Sequence, residues 1–512
     1  MVGTGIISTE IPHRNEETKN WQKEREKKLA KLGGFICFFR SAEMNSKEEW
    51  VARQRLLLLA EKQAEIEELI QKLRDLSGSD CEKQGISLLS LVIDEVRTSL
   101  FGRCCITIKR MDGQPLRKSS MKVGDEVTLF VPKLKHTNEE DKSYIDGVII
   151  KATNTYIDII CGDDDDVNFT LFQPPLRLDL RASEQTHKKM MEALNALEED
   201  HLNPLSHLLF ASSINESSLI NHNLLINKSN ITYYNKNLNA SQQEAIKCAL
   251  DATQIALIHG PPGTGKTSTI TELILQASMK GQNILVCAPS NVAVDNILER
   301  LVSYMPRANL LRIGHPARVN PKILPYCLDA IISGDDGTEI VRDIRNEMDS
   351  LRKKLTSRLD RSVRKETQVE LKSLRKEIKQ REEKVISGIL ASHNIVLCTC
   401  IGASSKLLKD KVFDLVVIDE AAQALEASCW VPILKGAKLV LAGDHKQLPP
   451  TIKSTEKESH LLSVTLFERI INNQVFASIV RMLTVQVCSL TCSYVRMQQL
   501  HSHSDLFLVS NE

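Results

Sequence analysis

Residues 255–277 read IALIHGPPGTGKTSTITELILQA: a short apolar run, a loop of glycine and proline, then a helical pattern. No other stretch of the chain restricts the fold as much. Gly260 to Thr267 fit the spacing G-x-x-x-x-G-K-T, in the strand-then-helix context that this motif requires. The glycines let backbone N–H groups curl around a phosphate, and the new helix points its positive end at the same place. The expected cradle runs through Gly260, Pro261, Pro262, Gly263, Thr264, Gly265, Lys266, Thr267 and Ser268. Lys266 would reach the β- and γ-phosphates and Thr267 would ligate a metal, so ATP and Mg2+ are the expected cofactors.

A loop of this kind needs acidic partners, and FDLVVIDEAAQ at 413–423 offers them. Its apolar run ends in Asp419 and Glu420, at the carboxyl end of a strand where ligands sit. Asp419 would hold Mg2+ through water, and Glu420 is positioned to polarise the attacking water. LAGDHKQLPPT at 441–451 ends the next strand. There Asp444, His445 and Gln447 gather polar groups where the γ-phosphate would lie. Gln447 could sense that phosphate, while His445 reads equally well as a plain surface histidine. Pro449 and Pro450 stiffen the chain beyond this loop. In APSNVAVDN, 288–296, Ser290 and Asn291 can donate to phosphate or sugar oxygens. In LNASQQEAI, 238–246, Gln242 is the candidate contact for the adenine edge. The expected catalytic set is Lys266, Asp419, Glu420 and Gln447.

From residue 238 onward six short apolar runs alternate with helical stretches, as for parallel strands covered on both faces. Upstream, 86–175 holds short β-rich runs at regular spacing: ISLLSLVIDEV, RCCITIKRMDG, DEVTLFVP, YIDGVIIKATNTYIDIICG and DVNFTLF. That pattern predicts a small antiparallel barrel. The acidic run at 163–166 reads as a solvated hairpin tip. Residues 1–43 read as an extension without a fold, 44–78 as a long helix opened by a Ser46/Glu49 capping box, and 178–212 as a second helical stretch. Residues 213–237 are an Asn- and Ser-rich linker. The nucleotide-binding domain spans 238–486 and is interrupted by an inserted helical hairpin. Within that insertion 341–384 has 15 basic and 9 acidic residues, a net of +6. It is either an arm that touches phosphates or a solvated hairpin with internal ion pairs. Arg352, Lys353 and Lys354 are its test positions. The fold class is thus α/β: a P-loop parallel sheet with an N-terminal antiparallel β-barrel, flanking helices and an inserted helical hairpin.

The five stretches around the P-loop, in this order, resemble superfamily-one helicases of the up-frameshift-like group. DEAAQALEASCWVPILK and GDHKQLPPT look most like the immunoglobulin mu-binding protein 2 type, with the yeast DNA polymerase alpha-associated type close behind. The resemblance runs from about residue 46 to 486. It implies an ATP-dependent 5′-to-3′ helicase acting on single-stranded or duplex RNA and DNA, with links to ribosomes and translation and a place in cytoplasm and nucleus. It also implies that the parallel sheet is a RecA-like domain with its helical insertion at about 315–392, that the helices at 44–78 and 178–212 are stalk helices beside the barrel, and that Ser290, Asn291, Val294, Thr399 and Gly402 face the nucleic-acid strand.

The net charge of +1 gives no global basic field, so a nucleic-acid partner needs a local patch. There is no apolar run long enough to span a bilayer, and no membrane partner is expected. The 13 cysteines are odd in number and lack a CxxC pair, which reads as buried, reduced thiols. After Thr484-Val485-Gln486 the family continues Tyr-Arg-Met; here VCSLTC comes next. Residues 487–512 are accordingly expected to be an atypical tail in place of a second RecA-like domain. Arginine fingers from such a domain are worth roughly 10³–10⁵ in rate. The alternative to a helicase is then a fragment that binds ATP and nucleic acid with little turnover.

Overall fold

The computed structural model describes residues 46–131, 144–162, 169–199, 203–211, 231–305, 309–314, 321–334, 339–356, 360–454 and 460–486. The extension at 1–43, the acidic run at 163–166, the linker up to residue 230 and the tail at 487–512 lie outside the described residues. The chain divides into two compact units.

The first unit runs to residue 188 and takes in 336–384 and 452–462. Its centre is a closed barrel of β1 (Ser87–Thr98), β2 (Cys104–Arg110), β3 (Glu126–Phe130), β4 (Tyr144–Ala152), β5 (Tyr156–Cys161) and β6 (Leu176–Leu180). The order around the barrel is β1-β2-β5-β4-β3-β6, with every pair antiparallel. Alternation puts Leu88, Ile106, Ile108, Leu129, Ile149 and Leu178 inside.

Two expectations need correction here. DVNFTLF does not supply the closing strand, because Phe169–Leu171 is a single 3-10 turn. LRLDL at 176–180 closes the barrel instead, with Leu176 and Leu178 buried while Arg177 and Asp179 pair outside at 2.7 Å. The second stalk helix therefore does not begin at 178; a helix covers Glu184–Glu199 and a separate one Pro204–Leu209. The first stalk helix spans Lys47–Asp75, and Ser46 Oγ accepts the Glu49 N–H at 3.2 Å.

The insertion folds as helices Glu339–Thr356 and Arg361–Ser392. Val341, Ile344, Met348, Leu351 and Leu355 form an apolar stripe at helical spacing and pack with Leu371 and Ile378. The pair also grips the barrel at the β1–β2 turn. Asp349 accepts from the Thr98 N–H, and Glu382 accepts from the Phe101 N–H and from Arg345. Arg352 Nη2 donates to Gly102 O at 2.8 Å and its Nε donates to Thr98 Oγ1 at 3.3 Å. Arg352 is only 5% exposed, so it caps a buried turn and is no phosphate-seeking arm. Gly102 has φ 66°, and a Cβ there would meet Arg375 Cγ at 2.8 Å, so a side chain would push the helices off the turn.

The second unit is a seven-stranded parallel sheet. Its strands are β7 (Ile255–His259), β8 (Ile284–Ala288), β9 (Leu310–Arg312), β10 (Ile395–Thr399), β11 (Leu415–Ile418), β12 (Leu439–Gly443) and β13 (Val480–Met482). They lie in the order β13-β7-β12-β11-β8-β10-β9. Every residue of β7, β8, β11 and β12 is buried, as two-sided covering requires. β13 has no apolar run to announce it; it exists because Val480–Met482 pair with Leu257–His259 at the sheet edge. The parallel direction brings the carboxyl ends of β7, β8, β11 and β12 to one rim, where the candidate site residues stand. The ten described cysteines are free thiols.

Candidate nucleotide site

The rim is built on the loop between β7 and helix Lys266–Met279. Gly263 and Gly265 have φ of 78° and 79°, a region closed to most side chains, so the turn depends on glycine at both. Gly265 caps the helix with no side-chain bond. Thr264 donates its hydroxyl back to Pro261 O at 2.7 Å, which holds the loop curled. A Cβ on Gly260 would sit 2.8 Å from Lys266 Cβ, so the lysine lies flat against the loop's first residue.

The loop opens onto a cavity of about 610 Å³. Gly260 to Ser268, apart from Thr264, form one wall, with Glu420 and Gln447 beside them. The opposite wall is Asn296, Glu299, Arg300 and Ser303 of helix Asn291–Tyr304. That spacing is one polar helical stripe, and sequence reasoning missed it; its visible signal was four polar residues at i, i+3, i+4 and i+7. Arg300 Nη1 donates to Ser268 Oγ at 3.1 Å, which adds a second cation to the rim.

Lys266 Nζ lies 2.8 Å from Glu420 Oε2 and 4.0 Å from Asp419 Oδ1. Burial pushes the Asp419 carboxyl up to about 6; Lys266 opposes the shift and Glu420 adds to it. Glu420 itself has φ 53°, a left-handed backbone that costs a residue with a Cβ roughly 1–3 kcal/mol. The strain aims its carboxylate across the loop at Lys266. A hydroxyl on Thr267 and a carboxylate on Asp419 are hard oxygen donors, which suit Mg2+. The cavity's glycine loop, lysine and helix N-terminus suit a polyphosphate.

Asp444 and Gln242 stand behind this wall rather than in it. Asp444 is 3% exposed. Burial raises its pKa, but bonds from His259, Gln447 and the Lys446 N–H outweigh that and hold it below the ordinary carboxylate value. Gln242 is also 3% exposed: its Nε2 donates to Thr264 O at 3.0 Å and its Oε1 accepts the Asn239 N–H at 3.0 Å. It ties the helix Ala240–Asp251 to the underside of the loop.

Two family models match the chain. An AAA domain covers residues 237–455, and the 1B domain of helicase SMUBP-2/HCS1 covers 51–173. DNA-binding protein SMUBP-2 of Mus musculus is 39% identical over 450 residues, covering 86% of this chain and 44% of the mouse protein. DNA polymerase alpha-associated DNA helicase A is 34% identical over 460 residues in Saccharomyces cerevisiae and 33% over 441 in Schizosaccharomyces pombe. Those alignments cover 83% of this chain in both cases, and 66% and 65% of the yeast proteins. The chain belongs to the SMUBP-2/Hcs1 helicase family. It spans under half the length of the mouse SMUBP-2 it matches.

The carboxyl ends of β8 and β10 carry the candidate residues for a nucleic-acid strand. Ser290 is exposed and caps its helix by accepting the Ala293 N–H at 3.2 Å. Asn291 Oδ1 accepts from Arg312 Nη2 at 2.8 Å, and the same fully buried guanidinium pairs with Asp295 at 2.8 Å. Thr399 Oγ1 accepts the Gly402 N–H at 3.0 Å, which tightens the turn after β10. Val294 departs from expectation. It is fully buried in the sheet core, so it supports this rim from below and offers no surface to a strand. The first-turn position that looks outward is Val292, 39% exposed.

Proposed function

We propose that this chain binds Mg2+–ATP at the Gly260–Thr267 loop and carries the hydrolysing half of an ATP-dependent helicase acting on DNA and RNA. The observation that carries the reading is the Lys266–Glu420 contact of 2.8 Å under a glycine loop that faces an open cavity. A bound γ-phosphate takes over Lys266 and frees Glu420 to orient water. Asp419 and Thr267 would hold Mg2+, which would supply charge neutralisation for the phosphates. Gln447, on the cavity wall, meets the γ-phosphate. Ser290, Asn291 and Thr399 offer polar groups to a sugar–phosphate backbone, and such contacts do not separate RNA from DNA. The direction of movement is proposed as 5′-to-3′ on the family resemblance.

The test is nucleotide binding and hydrolysis by the 512-residue chain, with and without single-stranded RNA or DNA. Lys266→Ala should abolish ATP binding while the thermal transition stays in place. Unchanged ATP affinity in that variant would sink the site. Turnover stimulated by single strands supports the helicase half; binding without turnover points to the non-unwinding reading.

A further inference from the structure

His259 is the last residue of β7, immediately before the phosphate loop, and is only 6% exposed. Its Nε2 lies 3.0 Å from Asp444 Oδ1. Asp444 Oδ2 in turn accepts Gln447 Nε2 at 3.1 Å, and Oδ1 also accepts the Lys446 N–H at 3.1 Å. A carboxylate only accepts, so His259 must donate from Nε2. The ring is wedged by Phe467, edge-on at 6.2 Å, and by His445 at 5.0 Å. Asp444, His445 and His259 place ligand atoms within 4.8 Å of one another. Both Asp444 oxygens are already taken by three donors, however, so the trio serves as a hydrogen-bonded support and not as an ion cage.

The consequence is a side-chain link between two loops that share one ligand. β7 carries the loop for the phosphates; β12 carries Asp444 and, three residues on, Gln447 on the cavity wall. The strands pair in register, with Gly443 opposite His259, so the link is short and rigid. We propose that His259 is a positioning residue: through Asp444 it fixes the Gln447 amide toward the γ-phosphate, so that nucleotide triphosphate is told from diphosphate. This rests on the ATP reading of the cavity. An Nε2 amide has two N–H groups, and with one held by Asp444 the other is oriented for a phosphate oxygen.

The experiment measures binding of mant-ADP and of non-hydrolysable mant-AMPPNP, each with Mg2+, to the full chain. His259→Leu should lower the AMPPNP-to-ADP affinity ratio about tenfold, as loss of a charge-assisted support predicts, with ADP affinity within about twofold. His259→Gln, whose Nε2 reaches the same place, should recover the ratio. In a Gln447→Ala background His259→Leu should change nothing further. If His259→Leu fails to give a native thermal transition, the pair His259→Gln and His259→Asn decides, since only the longer amide reaches Asp444. An unchanged ratio, equal loss of both nucleotides, or additive effects with Gln447→Ala would overturn the proposal. Lys266→Ala separates the two readings. If it loses both nucleotides while the His259 variants keep the ratio, only the positioning role falls. If it binds both as the native chain does, the ATP reading falls and takes this one with it.

Discussion

Asp419 works against its own fold. Its carboxyl is held at about 6 by burial, above an unfolded value near 3.9. A carboxyl with a raised folded pKa binds more protons folded than unfolded between those two values, so stability falls as pH rises through that window. Below about pH 4 the penalty is absent; above about pH 6 it is complete. Asp419→Asn keeps an oxygen to accept the Glu420 N–H, now made at 2.8 Å, and removes the charge. It should stabilise the second unit at about pH 7.5 by roughly 1–3 kcal/mol, lose that gain near pH 4, and abolish Mg2+-dependent turnover. Denaturant melts at the two pH values check it; a variant that is less stable than the native chain at the higher pH refutes the burial account. That Lys266, Asp419 and Glu420 come together was legible because the ends of neighbouring parallel strands share one rim. The burial of Val294, Arg352 and Gln242 was not, since a side chain's exposure is decided by elements distant in sequence. Arg300 was missed because one arginine on an amphipathic helix looks like any solvated charge until the facing loop is known.

At the scale of elements, local pattern read well where the period was clean. The parallel strands were visible as apolar runs, and the Lys47–Asp75 helix from its cap. β6 was misassigned because LRLDL has only five residues and sits beside a helical stretch, so its period could not be told from sequence. β13 has three residues and takes its strand character from β7 alone. The inserted hairpin is the element whose role the structure divides. Its inner face is structural, with Glu382 fully buried and Arg352 capping the β1–β2 turn. Glu382→Leu leaves the Phe101 N–H and the Arg345 guanidinium without their acceptor, and should cost about 3–5 kcal/mol, as a broken buried pair does. A melt of the barrel unit within about 1 kcal/mol of native would contradict that. Its outer face keeps Lys365, Lys376 and Lys379 exposed. If that face touches phosphates, reversing all three to Glu weakens single-strand binding and flattens log K against log salt by about 2, at roughly 0.7 per contact. An unchanged slope leaves the outer face a solvated hairpin.

At the scale of the whole molecule, each unit has a core of its own. The barrel is filled from within by Leu88, Ile106, Ile108 and their neighbours, while the sheet buries Ile258, Val286, Leu397 and Val417. Stability should therefore respond unit by unit. Ile108→Ala opens a cavity in the barrel and should cost about 2–5 kcal/mol there. Hydrogen exchange in β1 to β6 should quicken accordingly, while nucleotide affinity at the Gly260–Thr267 loop stays within about twofold. On the proposed ATP reading, saturating Mg2+–ATP should act in the other unit. At about one hundred times its dissociation constant it should add about 2.7 kcal/mol by linkage, read as slower exchange in β7, β11 and β12. Lys266→Ala should erase that protection. A tenfold loss of nucleotide affinity in Ile108→Ala would mean that the two cores melt as one, and that the barrel belongs to the nucleotide site's own cooperative unit.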